Sequence, residues 1–352
     1  MNSLLRRVGS SRLAKKQRPL VKAQEFLKNN FFCDGHADTF ARIAFAGADF
    51  VTCERTESFH IDIERMRRSG LNLQLMAVYI PPEISRHQGT VTALWIAQFA
   101  HRVCDALGEE CTLVRSKADL DGLAPDGGHH LMLTLEGVAP LLADLDLLEL
   151  FWRFGFRSIG LTHNVNNWAA GGCTPHDDRR YGLTEDGKKL VRMALDLGLA
   201  IDCAHLSRQG FYDLLHLMGD RPLINTHACC AEFVDIERNL TNDQLVKLAD
   251  TGGVVGITYV PDFLCRSKDV SQVSSEDVFR HLEHAVNLIG IDHVALGSDF
   301  DGVRFLPNDL PDPCAVPVLV QKMFDAGWSD EDVAKVVGGN WRRVLGQLLP
   351  AQ

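Results

Sequence analysis

Eight short apolar runs, at residues 31–36, 71–80, 129–135, 156–162, 199–204, 222–226, 252–260 and 293–298, recur along this 352-residue chain. Most are separated by stretches with helical spacing, such as Val91 to Leu107, Thr184 to Leu197, Thr241 to Thr251 and Ser274 to Ile289. Strands that alternate with helices pair in parallel through right-handed crossovers. Eight such units predict an α/β fold of the (β/α)8 TIM-barrel type, in which active-site groups gather at the C-terminal ends of the strands. A doubly wound open sheet is the rival, but no G-x-G-x-x-G opens a helix after the first run. The segment from Asp330 to Leu349 reads as one helix closing the barrel.

Charge divides the chain. Its first 24 residues hold seven cations (Arg6, Arg7, Arg12, Lys15, Lys16, Arg18 and Lys22) and no acid, so the rest is more acidic than the overall formal charge of -10. We therefore expect a basic flexible tail over 1–24 and a single barrel domain over 25–352. An organellar targeting sequence shares the tail's composition, whereas a secretory signal would need an apolar centre that the tail lacks. An acidic surface argues against a nucleic-acid partner, and no apolar run is long enough to cross a bilayer. The ten cysteines are scattered without a C-x-x-C pair, as expected of reduced thiols in a cytoplasm. Cys33, Cys203 and Cys229 lie close to histidines, which raises thiolate ligation against the plainer reading of small apolar fillers.

A buried parallel strand should end in turn residues, yet these runs end in polar groups that bind metals or carry protons. The first leads into His36 and Asp38, the third into Glu136, the fourth into His163, the fifth into His205, the sixth into His227 and the eighth into Asp299. In an extended strand residues i and i+2 face the same way, so His36 and Asp38 should reach one point. Each residue alone has a structural explanation, as a core histidine, a turn or a helix cap. Together, on one rim of a barrel, they point to a metal centre. Imidazoles with carboxylates suit zinc or manganese, iron or cobalt in its place. The ligands outnumber what one tetrahedral ion needs, so two ions are expected, with Glu136 able to bridge them. Paired ions lower the pKa of a shared water, which implies metal-assisted hydrolysis.

From about residue 30 onward the chain resembles the renal (membrane) dipeptidase family of metallopeptidases, within the amidohydrolase superfamily. The resemblance rests on Asp34-Gly35-His36-x-Asp38, Glu136-Gly137, Leu161-Thr162-His163-Asn164, Gly182-Leu183-Thr184, Ile201-Asp202-x-x-His205, Thr226-His227, Arg238-Asn239-Leu240 and Gly297-Ser298-Asp299-Phe300-Asp301-Gly302. It implies that His36 and Asp38 hold one zinc ion, that His205 and His227 hold the other, and that Glu136 and a hydroxide bridge them. His163 is then the residue at the scissile carbonyl oxygen. Arg238 pairs with the C-terminal carboxylate of a dipeptide. Asp299 carries the proton from water to the leaving amine, and Tyr259 lines the pocket. Arg238 could instead form a surface ion pair with Asp235 or Glu237, and Asp301 could compete for the role of Asp299.

The resemblance implies a binuclear zinc dipeptidase acting on L-L and L-D dipeptides, with homodimerisation. The alternative is another hydrolase of the superfamily, acting on an N-acyl amino acid, a lactone or an ester. Ala37 and Thr39-Phe40 depart from the family's common residues, which puts substrate preference in question but removes no ligand. Without a hydrophobic C-terminal tail or secretory signal in the chain, a cytoplasmic enzyme with no membrane partner is expected.

Overall fold

The computed structural model describes residues 20–84, 86–174 and 179–352. Eight strands, β1 (Cys33–Ala37), β2 (Leu73–Tyr79), β3 (His130–Glu136), β4 (Phe156–Gly160), β5 (Ala200–Asp202), β6 (Ile224–Ala228), β7 (Val254–Ile257) and β8 (Val294–Leu296), pair in parallel in sequence order. The sheet curls until β1 meets the chain just beyond β8. Ala37 bridges Phe300 in parallel, the Asp38 N–H donates to the Phe300 carbonyl at 2.9 Å, and the Asp299 N–H donates to the His36 carbonyl at 3.1 Å. Asp34 staples this seam: its carboxylate accepts from the Ser298 N–H, the Ser298 hydroxyl and Gln74 Nε2, each at 3.0 Å. These bonds satisfy polar groups that a short ladder leaves unpaired.

The strands are buried on both faces, which is why they read as continuous apolar runs. The helices that follow β4 to β7 begin where side-chain caps place them. Thr184 caps Glu185–Asp196 and Ser207 caps Arg208–Met218. Thr241 and Ser274 form capping boxes on Asn242–Asp250 and Ser275–Ile289. Each cap satisfies an N–H that the first helical turn leaves open. It therefore fixes where the loop above the barrel ends.

One boundary differs from expectation. Helical backbone is present over 20–29, with Ala23 and Leu27 fully buried one helical turn apart, so the boundary expected at residue 24 falls inside a helix. Residues 1–19 of the basic segment lie outside the described residues.

The closing segment is not one α-helix. It runs as Asp330–Ala334, a π-turn at Lys335–Gly339, and Asn340–Leu348. Gly338 sits so close to β1 that a Cβ there would come within 2.1 Å of the Phe31 carbonyl oxygen. The wider turn lets the helix pass that point. Trp341 then fills the floor of the barrel beneath Gly35 and donates from Nε1 to the Leu296 carbonyl at 2.9 Å. Among the described residues no helix is long and apolar enough to cross a membrane.

Candidate active site

The opposite end of the barrel holds a cavity of about 420 Å³ whose lining includes Asp38, Glu136, His163, His205, His227 and Asp299. His36 lies beneath it, 2% exposed. Glu136 Oε1 is the hub: it lies 3.6 Å from His36 Nε2, 2.9 Å from His205 Nε2 and 3.6 Å from His227 Nε2. His36 Nε2 is also 3.3 Å from Asp38 Oδ2 and 4.0 Å from Asp299 Oδ1. All seven strand-end residues picked out in the sequence therefore converge.

His36 and Asp38 meet by a different route from the one expected. The register of β1 shifts between Asp34 and Ala37, and Asp38 lies beyond the strand, at the N-cap of helix Thr39–Ala46. A bulge and a turn, rather than strand alternation, bring the two together. Backbone strain also collects here. Asn164, His205, Asp299 and Asp301 all take left-handed φ values of 60–66°, a conformation that costs a non-glycine residue on the order of 1–3 kcal/mol and concentrates at functional sites.

Hydrogen bonds outside the ring settle which nitrogens face inward. The Thr226 hydroxyl donates to Asp202 Oδ2, so toward His227 Nδ1, at 2.9 Å, it can only accept. The His227 proton is thus on Nδ1 and its Nε2 lone pair points to Glu136. Likewise His205 Nδ1 lies 2.7 Å from Asn164 Oδ1 and donates to it, leaving Nε2 bare. The two bare Nε2 atoms are 2.8 Å apart. His36 Nε2 and Asp38 Oδ1 are buried without a hydrogen-bond partner. Lone pairs converging on one space in this way are the donor set of a divalent cation, and the residues fit such an ion. Three groups that could each hold a metal, His36–Glu136–His227, Glu136–His163–His205 and His36–Asp38–Asp299, overlap through Glu136 and His36.

Electrostatics agree with that reading. Burial, with Arg238 adding to it, pulls His205 and His227 well below the usual imidazole range and keeps both neutral. Burial lowers His36 too, but Glu136, Asp38 and Asp299 outweigh it and raise the ring to about 10. Burial, with Asp38 beside it, holds Glu136 well above the carboxylate range. It lifts Asp299 to about 7, His36 pulling against it and Asp38 adding to it. Crowded carboxylates of this kind are stabilised by a multivalent cation. His163 is lowered to about 4, chiefly by burial, and its ring lies 4.0 Å from that of Tyr79.

Arg238 does not form the surface ion pair that its neighbours suggested. Asp235 pairs with Arg208 at 2.7 Å, and Glu237 accepts the Arg208 N–H at 3.0 Å. Arg238 is instead 5% exposed, with Nη2 3.1 Å from His205 Nε2 and with Nε and Nη1 lacking any hydrogen-bond partner. Asp301 is fully engaged elsewhere, accepting from the Thr39 hydroxyl at 2.5 Å, Arg42 Nη1 at 3.1 Å and the His60 N–H at 2.8 Å. It lines the same cavity but is tied to the loop over β1, whereas Asp299 lies within reach of His36.

Tyr259 departs from expectation. It is fully buried, its ring packs 5.6 Å from Phe300, and it is absent from the cavity lining. With Ile257 two residues earlier it belongs to the core between strands and helices, as period-two alternation requires. Cys33, Cys203 and Cys229 are buried free thiols raised by that burial, and among the described residues no cysteine joins a metal-capable group.

Asn164, Asp202 and Thr226 orient the histidines but were not picked out as functional. Each adjoins or closely precedes a site histidine, the one signal the sequence offered. Tyr79 was missed as well, although it ends the second apolar run.

A parallel eight-stranded barrel with imidazoles and carboxylates converging at the C-terminal strand ends defines a metal-dependent hydrolase of the amidohydrolase type. The family model for membrane dipeptidases, peptidase family M19, matches residues 20–350. The chain belongs to this family and is a metallo-dipeptidase. It is 26% identical over 339 residues to dipeptidase verJ of Clonostachys rogersoniana, covering 93% of this chain and 86% of the relative. It is 33% identical over 238 residues to an uncharacterized protein in the pqqA 5' region of Klebsiella pneumoniae, covering 66% of this chain and 87% of the relative. Among solved structures, a metallopeptidase from Rhodobacter sphaeroides liganded with a phosphinate mimic of the dipeptide L-Ala-D-Ala superposes with a TM-score of 0.84. The two share 27% identity, over 91% of this chain and 99% of that one.

Proposed function

We propose that this enzyme hydrolyses dipeptides bearing a free C-terminal carboxylate, both L-L and L-D, with two zinc ions as cofactors. The observation that carries the substrate class is Arg238. A buried guanidinium with two nitrogens unpartnered, beside the ligand ring, needs an anion, and a planar carboxylate suits its fork. The L-Ala-D-Ala mimic held by the Rhodobacter sphaeroides relative supports tolerance of a D-residue at that end.

In this reading His36 and Asp38 would hold one ion, His205 and His227 the other, with Glu136 shared between them. When bound, the ions supply Lewis acidity and lower the pKa of water toward neutrality. Arg238 binds the substrate carboxylate and so places the peptide bond over the ring. His163, kept neutral by burial, offers an N–H to the carbonyl oxygen as negative charge develops on it. Asp299, lifted to about 7, takes a proton onto its carboxylate from the attacking water and returns it to the leaving amine nitrogen. The water's oxygen bonds to the carbonyl carbon, the C–N bond breaks, and two amino acids leave.

The test is a substrate panel on zinc-reconstituted protein: an L-L dipeptide, its L-D diastereomer, and the N-acetylated amino acid. Cleavage of both dipeptides, with a KM for the L-L substrate that rises at least tenfold in Arg238→Ala, supports the reading. Cleavage of the N-acetylated compound but of neither dipeptide overturns it.

A further inference from the structure

The cavity has two unlike sides. His205 and His227, from the β5 and β6 ends, line one, with Arg238 behind them, its Nη2 3.1 Å from His205 Nε2; the facing side, around the ring at β1 and β2, carries the apolar side chains. Helix Thr39–Ala46 presents Ala41 and Phe45 there, one turn apart, and the end of β2 adds Tyr79 and Pro81. The cation on this side, Arg42, is paired with Asp301 at 3.1 Å, and Asp301 is already saturated by its other donors. Among the described residues the charged pair on this wall beyond the strand-end ring is thus already formed.

The wall continues outward. Phe45 also borders a second hollow of about 320 Å³, shared with Val91 and Trp95 of helix Arg86–Leu107. Phe45, Val91 and Trp95 are 57%, 67% and 50% exposed. Single exposed apolar residues are ordinary, but three that run together from a catalytic cavity onto the surface mark a binding surface.

We propose that Ala41, Phe45, Tyr79 and Pro81, extended by Val91 and Trp95, form the subsite for the side chain of the substrate's N-terminal residue and select large apolar side chains. The inference rests on the dipeptidase reading above. With the C-terminal carboxylate on Arg238 at the β6 side, and the peptide bond over the ligand ring, the N-terminal residue extends toward β1 and β2. Phe45 and Trp95 are exposed in the free protein, so a bulky side chain covers apolar surface at no cost in displaced core.

The test compares kcat/KM for Phe-Gly, Leu-Gly, Ala-Gly and Asp-Gly on the zinc-reconstituted enzyme, then repeats the series with Phe45→Ser and Trp95→Ala. Phe-Gly and Leu-Gly should exceed Ala-Gly about tenfold or more, the discrimination that a hydrophobic pocket gives per methylene-scale difference. Asp-Gly should be the poorest. The Phe-Gly to Ala-Gly ratio should fall several-fold in either variant, with a melting temperature that stays close to wild type because both side chains are half exposed. Equal cleavage of all four substrates, or a variant that slows Phe-Gly and Ala-Gly by the same factor, overturns the inference alone. Cleavage of none refutes the dipeptidase reading and the subsite with it.

Discussion

Thr226 should control metal binding without touching the metal. Its hydroxyl donates to Asp202 and accepts from His227 Nδ1–H at 2.9 Å, which keeps the His227 Nε2 lone pair aimed at Glu136. Thr226→Val preserves shape and removes only the hydroxyl. Asp202 Oδ1 keeps its bonds from the Ala204 N–H at 2.9 Å and the Thr226 N–H at 3.0 Å, so the strand itself stays tied. The His227 Nδ1–H, 1% exposed, is left without an acceptor. A buried donor stranded in this way costs about 1–3 kcal/mol, and the ring is freed to take the other tautomer. We expect zinc affinity to fall about 10- to 100-fold, the usual effect of losing a partner that orients a ligating histidine. The assay is competition against a chromogenic chelator on metal-stripped protein, with Thr226→Ser as the rescue. Affinity within twofold of wild type in the valine variant would refute the tautomer argument. Equal loss in valine and serine variants would assign the effect to packing.

Further outcomes are expected elsewhere. Asp299→Asn keeps the size of the side chain but cannot carry the proton, so kcat should fall about 10²- to 10⁴-fold with a smaller change in KM in steady-state dipeptide hydrolysis. Asp301→Asn weakens bonds to Thr39, Arg42 and the His60 N–H at a buried position and should lower stability by about 1–3 kcal/mol in thermal melts. His281 accepts the Cys230 N–H at Nδ1 and donates from Nε2 to Leu264, and burial lowers it from 6.5 to about 4. Its folded pKa lies below the unfolded one, so the unfolded state binds the proton first as the pH drops. The stability this ring contributes is complete above pH 6.5 and is lost as the pH falls from there toward 4. Melting temperatures of wild type and His281→Gln at pH 7.5 and 5 should show a shallower pH dependence in the variant.

The barrel was legible because parallel strands buried on both faces must be apolar throughout, and helix caps such as Thr184 and Ser274 mark where each crossover begins. The convergence of strand-end residues was legible because His36, Glu136, His205 and His227 interrupt apolar runs at equivalent points of the repeat. What escaped depends on pairings across long separations or on which way a side chain turns. Asn164 meets His205, and Asp301 meets His60, only once the loops are stacked, and nothing in either local sequence states it. Tyr259 ends an apolar run as His227 does, yet alternation along β7 turns it away from the cavity. The π-turn near Gly338 answers a close approach to Phe31, more than three hundred residues earlier. Arg238 was singled out for its motif, but its decisive property, burial with Nε and Nη1 unpartnered, is visible only after Arg208 has taken the nearby acids.

The strand-end ring should act as a two-metal centre for dipeptide hydrolysis. This is tested most directly by titrating metal-stripped protein with zinc while following cleavage of an L-L dipeptide. Cleavage should be negligible at the start and rise until it saturates at two zinc ions per chain. Saturation at a single ion would contradict the shared role of Glu136, and no cleavage at any ratio would contradict metal-dependent dipeptide hydrolysis at this site.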